Sequence, residues 1–177
     1  MKRVLVAYAS KNGSTAEIAE AIAEELERWS LLVDCAEAGA VQDLEPYDAV
    51  VLGSAVYARR WRSSARTFLR RHRSALSTLP LWVFSSGPTG DPKDDPKSSW
   101  FEPPKIVASL EALGAREHVV FGGRIPAEPH NFIERAMTRS APPEFADRRD
   151  WDEIRRWADG IAAALGAGDK EDAVVTT

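Results

Sequence analysis

One six-residue stretch, Ser10-Lys11-Asn12-Gly13-Ser14-Thr15, constrains this chain more than any other part of it. It follows the apolar run Val4-Leu5-Val6-Ala7-Tyr8-Ala9. It precedes Ala16-Glu17-Ile18-Ala19-Glu20-Ala21-Ile22-Ala23, which has the spacing of a helix. A tight turn therefore joins a buried strand to a helix N-terminus. A helix start offers unpaired backbone N–H groups and the positive end of the macrodipole, and both suit an anion. Gly13 lets the chain fold closely around such a guest, and Ser10, Ser14 and Thr15 add hydroxyl donors. Capping alone needs one such residue, and here there are several. The expected guest is a phosphate. Lys11 is the only charge in the loop, so most of the guest's partners are neutral dipoles.

The two common nucleotide loops, Gly-x-Gly-x-x-Gly and Gly-x-x-x-x-Gly-Lys-Ser/Thr, are both absent. A length of 177 residues suits one domain with a real core. No apolar run approaches the roughly 20 residues of a membrane span. The Lys2-Arg3 start superficially mimics a signal peptide, but the apolar run behind it ends too soon in Ser-Lys-Asn-Gly. A cytoplasmic chain is the expectation. Cys35 is the single cysteine, which excludes an intrachain disulfide and a cysteine metal cluster. His72, His118 and His130 have no ligand-like spacing, so no metal site is expected.

In chain order, residues 3–9 read as strand 1, apolar almost throughout, as in a strand buried on both faces of a parallel sheet. A helix is expected from Ser14 to Arg28, with Ile18, Ala19, Ile22, Ala23 and Leu26 as its apolar stripe. Leu31 to Ala36 is strand 2, with Cys35 as a small core residue. Gly39 to Asp48 is a connector. Ala49 to Val56 is strand 3, and Ser63 to Leu76 a helix that turns Phe68, Leu69 and Leu76 inward and its arginines outward. Leu81 to Ser85 is strand 4, and Asp91 to Trp100 reads as loop. Pro104 to Leu113 is a helix closed by Gly114, and His118 to Phe121 is strand 5. After a long interval, Gly122 to Asp150, the final helix runs from Trp151 to Leu165. Residues 1–166 thus form one domain with an insertion at 122–150, and 167–177 a frayed tail. Such alternation argues an α/β domain with a five-stranded parallel sheet of order 2-1-3-4-5. Ligands in these sheets bind at the carboxyl ends of the strands, where the loops after strands 1, 3 and 4 meet.

The phosphate loop resembles that of flavodoxins, Ser/Thr-x-Thr/Asn-Gly-x-Thr. The start Val-Ala-Tyr-Ala-Ser-Lys-Asn-Gly-Ser-Thr, the Gly-Ser-Ala-Val-Tyr…Trp stretch and the late Arg-Asp-Trp-Asp-Glu-Ile stretch are similar to one branch of that fold. That branch holds the flavodoxin-like, quinone-dependent protoporphyrinogen dehydrogenases and their uncharacterised relatives. The resemblance implies a flavodoxin-like three-layer sandwich and FMN as cofactor. It places Ser10, Lys11, Asn12, Gly13, Ser14 and Thr15 on the FMN phosphate. Ala55, Val56, Tyr57, Ala58 and Trp61 would lie along the isoalloxazine, with Tyr57 or Trp61 covering one face. The alternative for Trp61 is packing on the following helix. Ser85, Ser86, Gly87, Pro88, Thr89 and Gly90 would meet the ring's polar edge through backbone groups.

Two departures from electron-carrier flavodoxins stand out. Ser86 to Pro96 holds no aromatic residue to stack on the second flavin face. Residues 59–73 carry seven arginines and no carboxylate, in a chain of formal net charge −4. Positive charge at the ring stabilises an anionic reduced flavin and attracts anionic groups such as propionates. Arg70, Arg71 and Arg73 are equally open to being a solvated helix face. Three readings follow. The first is an FMN oxidoreductase that takes electrons from a reduced donor, a porphyrinogen among the candidates, and gives them to a quinone-type acceptor. The second is a flavodoxin electron carrier that serves protein partners, and the third a module that has lost its cofactor. No side chain is required as a catalytic acid or base, and no nucleic-acid partner is expected. Residues 59–73 suit peripheral contact with the inner face of a membrane. The interval 122–150, with a short helix expected over Asn131 to Met137, is expected to form part of a substrate or quinone site, or of the membrane-facing surface. Its alternative role is a flap over the sheet edge.

Overall fold

The computed structural model describes residues 1–57, 59–87, 103–125, 135, 147–168 and 170. The elements are β1 (Arg3–Ala9), α1 (Ser14–Glu27), β2 (Leu32–Glu37), β3 (Ala49–Tyr57), β4 (Arg60–Trp61), α2 (Ser63–Arg71), α3 (Arg73–Leu76), β5 (Leu81–Ser86), α4 (Pro104–Ala112), β6 (Glu117–Phe121) and α5 (Trp151–Ala164). Five strands form a parallel sheet of order β2-β1-β3-β5-β6, which is the expected order for the five long strands. The two-residue β4 is extra and pairs antiparallel with the end of β3, Val56 opposite Trp61 and Tyr57 opposite Arg60.

Alternation along the central strands divides the core into two layers. Val4, Val6, Val51 and Phe84 pack with α1 and α5, through Ile18, Ile22, Ile154 and Ile161. Leu5, Ala7, Leu52 and Val83 pack on the other side, with Phe68, Leu69, Ile106 and Leu110 from α2 and α4. These strands are apolar on both faces because both faces are covered by helices. The ends of α4 and α5 have one design. Gly114 (φ 67°) and Gly166 (φ 66°) are left-handed, and the next residue's N–H reaches back, Ala115 to Leu110 and Ala167 to Ala162.

Three expectations need correction. The helix expected over 63–76 is broken at His72 (φ −101°, ψ 17°), whose N–H still bonds to the Phe68 carbonyl before α3 restarts. Cys35 is exposed, because β2 is an edge strand and its outer residues are incompletely covered. Strand 3 runs on to Tyr57 and turns back as β4, so the expected loop at 55–61 is a hairpin. Arg59 takes φ 60° at its tip, a strained value for a non-glycine residue. The helix expected over 131–137 lies outside the described residues, apart from Arg135, which is helical. The described ends of that interval meet each other: Arg124 and Asp147 form an antiparallel bridge, and Arg148 N–H donates to the Gly123 carbonyl at 3.0 Å. Beyond α5, Lys170 pairs with Glu25 and Asp159. No helix among the described residues is long and apolar enough to cross a membrane.

Candidate functional site

The carboxyl end of β1 enters α1 through Gly13, which sits at the N-cap with φ 85°. A side chain at that φ would be strained, so glycine is what the turn requires. No side chain caps the helix, and the simple capping role considered for Ser14 or Thr15 is therefore not what either does. Gly13 N–H donates instead to Ser10 Oγ at 3.0 Å, which closes the loop on itself. Thr15, 1% exposed, shares a 2.7 Å hydrogen bond with Ser86 Oγ and so ties the first turn of α1 to the end of β5. Ser14 Oγ is buried and meets no partner among the described residues. The first intrahelical bond is Glu17 N–H to the Gly13 carbonyl, 3.0 Å, so the N–H groups of Ser14, Thr15 and Ala16 stand outside the helix ladder. A buried hydroxyl without a partner costs free energy unless a ligand satisfies it. Beside free helix donors, it fits an anion with several acceptor oxygens, such as the terminal phosphate of FMN.

This loop is one wall of a cleft at the carboxyl edge of the sheet. Ala55, Val56 and Tyr57 from β3, Ser86 and Gly87 after β5, and Gly123, Arg124 and Ile125 after β6 complete it. Lys11 Nζ lies 3.9 Å from the centre of the Tyr57 ring, across the mouth. The floor is tight: a Cβ on Gly123 would lie 2.1 Å from the Gly87 carbonyl oxygen, so only glycine lets these two loops touch. Tyr57 thus lines this cleft. Trp61 does not. It is 2% exposed, lies on the α2–α4 side of the sheet, and donates from Nε1 to Ser85 Oγ at 2.9 Å. The packing alternative is the one it adopts, because the reversal at β4 carries its ring to the far face. Ser85 follows it there. Its hydroxyl also lies 2.9 Å from His118 Nε2, and it points away from the cleft that Ser86 enters. Ala58, Pro88, Thr89 and Gly90 lie outside the described residues.

A charge network backs the phosphate loop. Glu17, in the first turn of α1, pairs with Arg124 at 2.7 Å and with Arg149, which also pairs with Asp147 at 2.6 Å. The Arg149 guanidinium is 4% exposed and lies 4.6 Å from the Trp151 ring centre. Its hydrogen bond holds the Glu17 carboxyl below the usual carboxylate range, and does the same for Asp147. The two carboxylates in turn push the Arg149 pKa up. Without these arginines Glu17 would place an uncompensated negative charge next to the anion cradle. Gly123, Arg124, Ile125 and Arg149 fall in the interval 122–150 that the sequence assigns to this edge of the sheet, but the sequence marks neither them as individual cleft residues nor Glu17. The Gly122-Gly123 doublet at the end of the last strand was the available signal.

A model of the Flavodoxin domain family matches residues 5–142. Protoporphyrinogen IX dehydrogenase [quinone] of Escherichia coli strain K12 is 27% identical over 85 residues, 47% of this chain and 47% of that protein. The match therefore spans about half the length of this curated relative. Among solved structures, a flavodoxin from the domain Archaea superposes with a TM-score of 0.60 at 16% identity, over 93% of this chain and 99% of that one. Oxidised flavodoxin 1 from Bacillus cereus gives 0.61 at 16% identity, over 91% and 97%. Rubredoxin oxygen:oxidoreductase from Desulfovibrio gigas gives 0.63 at 16% identity, over 94% of this chain and 36% of that one. At such identities these structures speak for the fold.

Proposed function

The chain belongs to the Flavodoxin domain family, and on that premise we propose that it is an FMN-dependent oxidoreductase, passing electrons from a reduced small-molecule donor to a quinone-type acceptor. The observation that carries the cofactor is the buried, unpartnered Ser14 hydroxyl at an uncapped helix N-terminus. The donor and acceptor classes, a porphyrinogen and a quinone, are taken from the named activity of the Escherichia coli relative.

When bound, FMN supplies the redox chemistry at its isoalloxazine ring. The protein's part is binding, orientation and electrostatics. Ser10, Ser14 and Thr15, with the N–H groups that open α1, hold the phosphate. Lys11 adds the single charge, and Tyr57 offers a flat surface to the ring. Glu17 is neutralised by Arg124 and Arg149, so the cradle stays receptive to an anion. Arg59 and Arg60, beyond Tyr57 on the same hairpin, add positive potential that favours negative charge on the ring and on carboxylated donors.

The test is anaerobic. Bound flavin is exposed to a panel of reduced donors, porphyrinogens included, and a quinone is then added. The reading expects bleaching by a small-molecule donor and prompt return of the oxidised spectrum on quinone addition. Exchange of electrons with protein partners alone would make the protein a carrier. Purification without a visible flavin spectrum, and no flavin uptake afterwards, would remove both readings.

A further inference from the structure

A second concavity lies at a different place from the cleft at the phosphate loop. It is a groove of about 840 Å³ between α2 and α4. Arg66, Leu69 and Arg70 lie at helical steps of three and four, so α2 presents one stripe to the groove, and Arg73, the first residue of α3, lines it beyond the break at His72. From α4, Lys105, Ser109 and Leu113 form the opposing stripe by the same spacing. The floor is apolar, with Trp61 2%, Leu69 6%, Ile106 7% and Leu113 7% exposed. None of the described lining side chains is acidic. Like charges three and four residues apart on one helix repel, so this arrangement does nothing for the fold by itself. The helix also shows the contrast internally: Arg71, off the stripe, donates to Gln42 at 3.0 Å.

We propose that this groove binds a free amphipathic dianion, an apolar body that carries two or more carboxylates or phosphates. Cations on both walls match the charges, and the buried floor matches the body. The volume lies within the roughly 300–1,000 Å³ of small-molecule sites. A concave site of this kind favours a single molecule over a flat bilayer, which reaches the rim and leaves the floor uncovered. The groove shares one hairpin with the cleft: Arg60 and Trp61 line the groove, while Tyr57, paired with Arg60, lines the cleft. The proposal does not depend on the flavin reading.

The experiment uses the full chain as purified, with any bound flavin, and the fluorescent probe bis-ANS, a disulfonate on an apolar biaryl. The double variant Arg66→Gln with Arg70→Gln should weaken the probe by roughly tenfold or more, the loss of two charge-assisted contacts. Ser109→Glu, which puts a carboxylate on an exposed position of the groove wall, should weaken it similarly without touching the core. Arg71→Gln, the same charge change on the same helix, should leave it within about twofold. Circular dichroism checks that each variant is folded. An equal loss in Arg71→Gln, or displacement of the probe by equimolar citrate, means surface charge alone and overturns the proposal. No loss in either groove variant overturns it too. Variant-sensitive binding to phosphatidylglycerol vesicles that exceeds binding of the dissolved probe would make the groove a membrane contact and overturn it as well.

Discussion

The two faces of the sheet use the same strands and treat charge in opposite ways. On the α1–α5 side, the buried and half-buried charges are matched. Glu25 pairs with Arg28 and Lys170, Asp159 with Lys170 and the Trp29 indole N–H, and Arg149 with Glu17 and Asp147. Even Trp157 spends its N–H on Glu117, 2.8 Å away. On the α2–α4 side, Arg66 and Arg70 of α2 and Arg73 of α3 line an open groove with no acidic residue in its described lining. Since Val4 and Val6 serve one face and Leu5 and Ala7 the other, the strands do not cause the difference. The helices do. Matched charge around a closed apolar layer marks a side whose task is to hold the fold. Unmatched charge around a concavity marks a side whose charges await something else.

Substitutions in the two helices sharpen that contrast, and here the largest effect is expected. Ile22, 0% exposed in α1, packs in the closed layer, and Ile22→Ala should cost about 2–5 kcal/mol in urea unfolding through lost burial and a cavity. Arg70→Ala on the open side should change stability by no more than about 0.5 kcal/mol, because it also relieves repulsion from Arg66 and Arg73. A large loss in Arg70→Ala would mean that the open side is structural after all.

The next effect belongs to the edge where both faces meet. Ser14→Ala with Thr15→Ala removes two hydroxyls from the cradle and should weaken FMN by about 2–3 kcal/mol while riboflavin, which lacks the phosphate, changes little. Calorimetric titration of both flavins checks this, and equal losses would rule out the phosphate role. Arg149→Ala should be milder for stability, about 1–2 kcal/mol, since Glu17 and Asp147 keep 39% and 43% of their side-chain exposure. It should also weaken FMN, because Glu17 then faces the phosphate with one arginine fewer. Adding Glu17→Gln should restore the FMN affinity. If it does not, the network serves only to fasten α1 to the start of α5.

What was legible in the sequence follows the same division. The strand order, the tight turn between β1 and α1 and the inward stripe of each long helix rest on local periodicity and turn chemistry, and the fold bears them out. Trp61 was open because an aromatic after a strand serves stacking and packing alike. The decision came from the Tyr57–Arg60 pairing, which adds a strand where a loop was expected. Ser85 and Ser86 are adjacent and look equivalent, yet the pleat sends one to Trp61 and the other to Thr15. Arg124 and Arg149 could not be joined to Glu17 from sequence, since the pairs are 107 and 132 residues apart. The arginine run was visible from the start. Its separation into a groove stripe and an outward Arg71 needed the position of α4.

The smallest effect concerns pH and lies on the open face. His72, at the break between α2 and α3, is 9% exposed, tilts against Phe68 at 4.8 Å, and has a buried Nε2 without a partner. Burial, and next the Arg71 charge, hold its pKa below the ordinary 6.5, against smaller opposing contributions from the Val41 backbone and Asp43. The folded protein thus keeps His72 neutral where the unfolded chain takes up a proton. The stability this contributes is complete above the ordinary histidine value and is lost as pH falls through the lowered folded one. The matched face behaves likewise but further down. Glu17 and Asp147 are held below the usual carboxylate range, so their contribution persists until pH falls through their folded values. Urea midpoints measured from neutral to mildly acid pH should therefore decline first through His72 and only later through the carboxylates. His72→Asn, which keeps a polar group without a titration near neutrality, should flatten the first decline and leave the second. Arg71→Gln should shrink the first decline, because without that charge the folded histidine value lies nearer the unfolded one. A first decline that survives in His72→Asn would place the titrating group elsewhere and detach this pH response from the α2–α3 break.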